Sequence, residues 1–380
     1  MHPPDEMARP RRLDVAVVAP TMRILGGHAV QAERILEGWQ GDPDVHAWLV
    51  PINPLPPKPF DRLLAVKGIR TIATQLCYWP LLWREFRQAD VVHLFSASSS
   101  GFLLSTVPAV LVATALRKPL VLNYHSGAAP EHLGRSRLAR MVLRDLARIN
   151  VVPSRFLRDV FAEFGIPATV VFNTIEVARF GYRPRVPLRP RLISTRNFES
   201  LYNVACTLRA FARVQAQYPE ATLTVIGGGP LDGALRALAA ELQLRGVTFL
   251  GRVPPASMPG HYADADIYVQ TPSIDNMPLS VLEAFASGLP AVSTRVGGVP
   301  AILADGEQGL LAADNDDEGI ARRILDLLAN PTRARALAAA AYDSCRAYAW
   351  SEVRDGWLAA YRQAAAPASD ARRVPLEAAR

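Results

Sequence analysis

Cysteine, lysine and long apolar runs are all scarce in this 380-residue chain, and each shortage closes off a class of protein. The three cysteines, Cys77, Cys206 and Cys345, are scattered, odd in number and without a CxxC pair. That argues against a disulfide framework and a zinc site, and fits a reducing cytosol. Lysine occurs only as Lys58, Lys67 and Lys118, with no pyridoxal-type lysine site among them. The best apolar window, "FLLSTVPAVLVATAL", ends at Arg117 and Lys118 after 15 residues. It is too short to span a bilayer and reads as a buried helix. The opening "MHPPDEMARPRR" is polar, with no apolar segment of signal-peptide type. The seven histidines lack metal-ligand spacing and the acids do not cluster, so no metal is expected.

What the chain has is arginine, unevenly placed. The net charge is +7, yet residues 1–185 carry 23 basic against 15 acidic side chains while residues 186–380 carry 19 against 20. The first half is therefore the one suited to an anionic surface. The length exceeds what one core usually supports and predicts two domains.

Short β-branched runs alternate with longer amphipathic stretches, the pattern of βαβ units and parallel sheets. "LDVAVVAP", "ADVVHLFSA", "PLVLNYHSG", "RINVVPS" and "ATVVFNTIE" read as strands of one set. "RLISTRNF", "ATLTVIGGGP", "VTFLGRV", "DIYVQTPS", "PAVST" and "GLLAA" form a second. Between them "GYRPRVPLRPR" has no periodicity and reads as a linker over 181–191. The expected division is 1–180, the linker, 192–345, a last helix over 346–364 and a disordered tail over 365–380. Two Rossmann-like, doubly wound α/β domains would face each other across a cleft at the carboxyl edges of their sheets.

The chemistry concentrates in "SIDNMPLSVLE". Pro278 suits a first helical turn, Gly288 the left-handed position after a helix end, and Pro290 stops any continuation. Asp275 then sits in the loop, and Glu283 lies about two turns further along, in the helix. Unpaired N–H groups around Leu279 and Ser280 would attract phosphate. An anion flanked by two acids fits a ligand with hydroxyls on both sides of a phosphate, as a sugar nucleotide has. The plain alternative is a capped core helix with incidental acids.

The run "TPSIDNMPLSVLEAFASGLPAVSTRVGGVPAILADGEQGLL" resembles the signature of the retaining family 4 glycosyltransferases of GT-B fold, and looser matches extend over most of the chain. The resemblance implies transfer of a sugar from a nucleotide-diphosphate sugar to an acceptor hydroxyl, with retention of configuration and without a metal. It also implies a last helix that crosses back to the first domain. By this match Asp275, with Asn276 beside it, holds the donor sugar, and Glu283 holds the ribose. Gly26 and Gly27 let backbone approach the phosphate, Arg196 clamps the diphosphate, and His125 lies near the transferring sugar. Gly228 belongs to a matching turn, "IGGGP". Asp275, His125 and Arg196 are thus the expected catalytic residues. Gly26, Gly27, Arg196, Gly228, Asn276, Leu279, Ser280 and Glu283 are the expected donor contacts.

Two departures stand out. The first acid is Asp rather than Glu, one methylene shorter. The family's second diphosphate cation, a lysine five or six residues after the arginine, is replaced by Leu201 and Tyr202, with Arg252 and Arg295 the candidate substitutes. That loss supports a rival reading, a non-catalytic sugar-nucleotide sensor or scaffold, which the intact acid pair, glycine loop, Arg196 and His125 oppose. His93 reads as structural, and Gly297–Gly298 as a tight turn. Arg140, Arg144 and Arg148 are expected on one helical face. With Trp79 and Trp83 they suggest an anionic membrane surface or a lipid-linked glycan acceptor. A cytoplasmic enzyme at the inner face of the cell membrane is the resulting expectation, with no nucleic-acid partner.

Overall fold

The computed structural model describes residues 11–23, 26–58, 69–96, 98 and 101–367. The tail from 368 onward, Arg62 and Lys67 lie outside the described residues. Two six-stranded sheets, every pairing parallel, carry the fold. The first runs β2(Val45–Pro51), β1(Leu13–Ala19), β3(Val91–Ser96), β4(Leu120–Tyr124), β5(Ile149–Val152), β6(Thr169–Val170). The second runs β12(Leu310–Ala312), β11(Ala291–Thr294), β10(Ile267–Val269), β7(Arg191–Thr195), β8(Thr222–Ile226), β9(Val247–Gly251).

Strands β3, β4, β5, β10 and β11 are buried along their whole length, which is why they read as apolar runs rather than as alternating ones. Helices cover both faces of each sheet, giving four buried clusters in all. Both sheets step outward from an inner strand and then reverse, the topology that opens a crevice at the carboxyl ends.

The expected helical stretch from Asp317 onward is broken into Asp317–Ala329, Pro331–Ser344 and Trp350–Ala365. Pro331 starts the second piece, and extended backbone at Ala349 starts the third. The last piece lies on the first sheet. Trp357 and Tyr361 pack with Val15, Val17, Val91 and Val121, and Trp350 stands edge-on to Trp39 with centroids 4.9 Å apart. Arg354 bridges to Asp42 and Asp44 at 2.7 and 2.6 Å.

Two expectations change. The apolar window is helical, a π-turn Phe102–Thr106 running into helix Val107–Ala115, but it is not wholly buried. Leu103, Leu104 and Leu111 face outward. The arginine ladder also fails: helix Arg137–Met141 passes into a π-turn, Val142–Leu146, and Ala147 is extended. Widening to i→i−5 bonding, with the Ala147 N–H on the Val142 carbonyl, rotates the face, and Arg148 has already left the helix. Arg140 turns to the carbonyls of Leu133 and Gly134, Arg144 to Asp145, and Arg148 to the Ala366 carbonyl.

Candidate active site

Almost every expected site residue sits just past the carboxyl end of a strand, where a side chain is free of the sheet ladder but held by it. β4 hands the chain to His125, β7 to Arg196, β8 to the turn Gly227–Gly229, and β9 to Arg252. β10 leads into the loop that carries Asp275, and the loop after β1 reaches Gly26 and Gly27. All but Gly228 and Gly229 of that turn line one cavity of about 670 Å³ between the two sheets, which also includes Asn276, Leu279, Ser280 and Glu283; the expected donor contact Gly228 is not among its lining residues. Gly26 and Gly27 face open space, so a ligand can approach their backbone.

Pro278 caps helix Leu279–Ala286, and Gly288 beyond it has φ +73°. The helix begins at the cavity, its first N–H groups pointing toward it. Arg196 Nη1 donates to Ser280 Oγ at 3.1 Å, and the Tyr268 hydroxyl lies 2.8 Å from the same oxygen. The second guanidinium nitrogen, Nη2, pairs with Asp275 Oδ2. Burial raises the Asp275 carboxyl above its ordinary value, while the Arg196 charge and the Asn276 N–H pull the other way. Arg196 Nε is buried with no partner.

The loop before this helix touches the first domain. Asn276 Oδ1 accepts from the Ser154 hydroxyl, and Ile274 packs 3.1 Å from where a side chain on Gly127 would begin. Gly297, at φ +49°, lets that loop pass. A Cβ there would fall 2.0 Å from the Asp275 carbonyl oxygen.

Glu283 is held by both oxygens. Oε1 pairs with Arg34 Nη2 at 3.2 Å and Oε2 accepts from the Tyr262 hydroxyl at 3.0 Å. Arg34 comes from the first domain, on helix Gly27–Gly38, and is buried; its Nη1 donates to the Thr174 carbonyl at 3.0 Å. Gln31, one turn earlier, grips Thr174 by its N–H and its C=O, each at 2.9 Å. Sequence reading missed Arg34. The usable signal was two polar residues, at 31 and 34, on the helix face that continues from Gly27.

His125 lies among rings, 5.2 Å from His28 and 5.3 Å from Phe95 by centroid. Its Nε2 is buried without a partner. Burial keeps it neutral, well below the ordinary imidazole range, with His28 and His93 adding to the effect. Burial likewise brings His28 down to about 4 and His93 to about 3. His93 is structural, with Nδ1 2.8 Å from the Tyr361 hydroxyl and Nε2 3.0 Å from Asn123.

Of the two candidate substitutes for the missing lysine, Arg252 lines the cavity. Arg295 does not: it pairs with Asp305 at 2.7 Å, away from the cavity lining. Tyr202, one of the two residues found where the lysine is expected, lays its ring against Arg196, whose guanidinium carbon is 4.1 Å from the ring centroid.

Fold and cleft define a two-domain GT-B protein. The chain belongs to glycosyltransferase family 4: residues 9–179 match the model described as Glycosyltransferase Family 4, and residues 186–344 match Glycosyl transferases group 1. A phosphatidyl-myo-inositol mannosyltransferase of Mycolicibacterium smegmatis is 27% identical over 285 residues, 71% of this chain and 70% of that protein. A GDP-mannose-dependent alpha-(1-6)-phosphatidylinositol monomannoside mannosyltransferase of the same organism is 30% identical over 168 residues, 42% of each. At such higher identities the chain spans less than half the length of the relatives it matches. Among solved structures, Anabaena HepE in complex with UDP-glucose superposes with TM-score 0.72 at 16% identity, covering 92% of this chain and 98% of that one. Sucrose-phosphate synthase from Thermosynechococcus elongatus gives 0.72 at 18%, covering 93% and 99%. These likenesses show the fold.

Proposed function

We propose that the protein transfers a sugar from a nucleotide-diphosphate sugar to an acceptor hydroxyl with retention of configuration, in glycan, polysaccharide or glycolipid synthesis. The observation that carries this is the order of groups along one cavity. Glu283 stands one turn inside a helix whose open start meets Arg196, with Asp275 and neutral His125 beyond. Ribose, diphosphate and sugar follow the same order. The structural neighbour that binds UDP-glucose and the mannosyltransferase relative named for GDP-mannose support a nucleotide-sugar donor.

In this reading Glu283 accepts from the ribose hydroxyls, and the helix start with Arg196 takes the diphosphate. Asp275 and Asn276 face the sugar. His125, held neutral by burial, offers its unpartnered Nε2 to a sugar hydroxyl. The arriving diphosphate draws Arg196 from Asp275, freeing that carboxylate for the sugar. As the glycosidic C–O bond breaks, a diphosphate oxygen takes the proton of the acceptor hydroxyl on the same face. The side chains contribute position and charge, and no metal is required by this assignment. Proton NMR of the product's anomeric coupling, with the donor found by titrating UDP-, GDP- and ADP-sugars, tests it. An inverted anomer, or no binding of any of the three, would refute the reading.

The acceptor side is proposed to meet an anionic membrane, which suits a lipid-linked acceptor and a peripheral place on the inner face of the cell membrane. No helix among the described residues is long and apolar enough to cross a membrane. Helix Ile69–Gln88 instead exposes Ile69, Ile72, Leu76, Trp79 and Trp83, one apolar stripe at helical spacing, with Leu76 72% exposed. Leu103 and Leu104 continue it on the adjoining π-turn, where the Gln75 side chain donates to the Leu104 carbonyl at 2.8 Å. Arg70, Arg84 and Arg87 are exposed on the same helix, Arg84 paired with Glu85 and Arg87 over the Trp83 ring. A second copy would oppose arginine with arginine, whereas an anionic bilayer satisfies both the apolar stripe and the arginines on its helix.

A further inference from the structure

We propose that Arg252 supplies the second positive charge on the donor diphosphate, in exchange for the lysine that Leu201 and Tyr202 replace. This rests on the donor reading above and names a residue that reading lacks. A leaving diphosphate gains negative charge as the glycosidic bond breaks, and Arg196, drawn from its pair with Asp275, would meet it as a single cation. Tyr202 orients Arg196 from behind but carries no charge of its own.

Four arginines line the cavity: Arg34, Arg179, Arg196 and Arg252. Arg34 is committed to Glu283 and Thr174. Arg179 makes no side-chain hydrogen bond or ion pair among the described residues, but it stands in the short turn Val177–Arg179 and is not among the groups against the glycine turn Gly227–Gly229. Arg252 makes no hydrogen bond or ion pair among the described residues.

Its position is set by the turn that carries Gly228. The Gly227 N–H donates to the carbonyl of Gly251 at 2.9 Å, which pins the turn to the residue before Arg252. A Cβ on Gly227, at φ +149°, would lie 1.9 Å from the Arg196 carbonyl oxygen. A Cβ on Gly228 would lie 3.1 and 3.2 Å from Cγ and Nε of Arg252. The Arg196 backbone and the Arg252 side chain therefore both lie against this one glycine turn. A side chain at Gly228 would push the free cation away, which gives that glycine a reason beyond turning the chain.

The test is calorimetric titration of wild type, Arg252→Gln, Tyr202→Lys and the double variant. Each is titrated with UDP, GDP and ADP, and with the parent nucleoside of whichever diphosphate wild type binds. Arg252→Gln is expected to lose roughly tenfold or more in diphosphate affinity and to lose kcat, while nucleoside affinity is unchanged. Lysine at 202 in that background is expected to restore most of the loss. If Arg252→Gln binds the diphosphate and turns over like wild type, the inference is wrong and the donor reading stands. Equal losses for nucleoside and diphosphate, or no recovery from the lysine, also overturn it. If wild type binds none of the three diphosphates, the donor reading falls and takes this inference with it.

Discussion

Replacing Arg34 with Gln should loosen the closed arrangement of the two domains and weaken donor binding with little change in kcat. Arg34 and Glu283 lie 249 positions apart and meet at 3.2 Å with side chains 6% and 15% exposed. At that distance and an effective dielectric near 20, the bare attraction is about 5 kcal/mol. Desolvation of both groups offsets part of it, and losing one partner of a hydrogen-bonded charge pair leaves a net effect of about 2–3 kcal/mol. Gln31 keeps its own hold on Thr174, so the first domain stays intact. The loss then falls on the closed state, and donor KM rises by up to roughly 30–100-fold. Steady-state kinetics with varied donor, and small-angle scattering with and without nucleoside diphosphate, measure the two effects. An unchanged or lower KM, with scattering identical to wild type, would mean that the pair does not hold the domains together. Glu283 would then have been waiting for the ribose with Arg34 in its way.

Other outcomes are expected. Glu283→Gln should weaken nucleoside diphosphate binding at least tenfold, whereas Asp275→Asn should lower sugar transfer while free diphosphate binds nearly as before; calorimetry beside turnover separates them. Arg196→Ala should abolish turnover and sharply reduce diphosphate affinity, and near-normal kcat would assign the charge elsewhere. Acid should destabilise the fold. His28 and His93 sit near 4 and 3 against an ordinary 6.5, so the unfolded chain binds protons that the folded one refuses. Stability is full above about pH 6.5 and falls by up to about 1.4 kcal/mol per pH unit for each histidine below it. A urea midpoint flat from pH 7 to 4.5 would contradict this. Co-sedimentation should show binding to anionic but not neutral vesicles, reduced by salt and by Leu76→Ser with Trp79→Ser; equal behaviour toward both vesicle types would leave the stripe without that partner.

What could be read from the residues was local. Strands such as "VVHLF" and "LVLNY" declared themselves because fully buried parallel strands need apolar residues on both faces. The helix after Pro278 was bounded by proline and glycine, and its acid and that of the loop before it were spaced along one short stretch. What could not be read depended on partners far away in sequence. Nothing near Arg34 points to Glu283, and nothing near Arg196 says that Tyr202 will lie on it. Arg148 failed for a different reason. A few i→i−5 bonds before strand β5 turned the helix off its expected face, and no propensity marks such a turn. Arg295 was a fair candidate by charge alone, until Asp305 claimed it.

The helix Trp350–Ala365 has a bearing on how the protein is made. Strand β1 leaves the ribosome more than 300 residues before the aromatic side chains that close over its face. Until Trp357 and Tyr361 arrive, Trp39, His93 and the valines beside them remain an open apolar surface, while the second sheet has all its own strands and can settle first. The nascent first sheet is the stretch a chaperone would need to shield, and a premature stop before Trp350 would yield a protein with that surface permanently open.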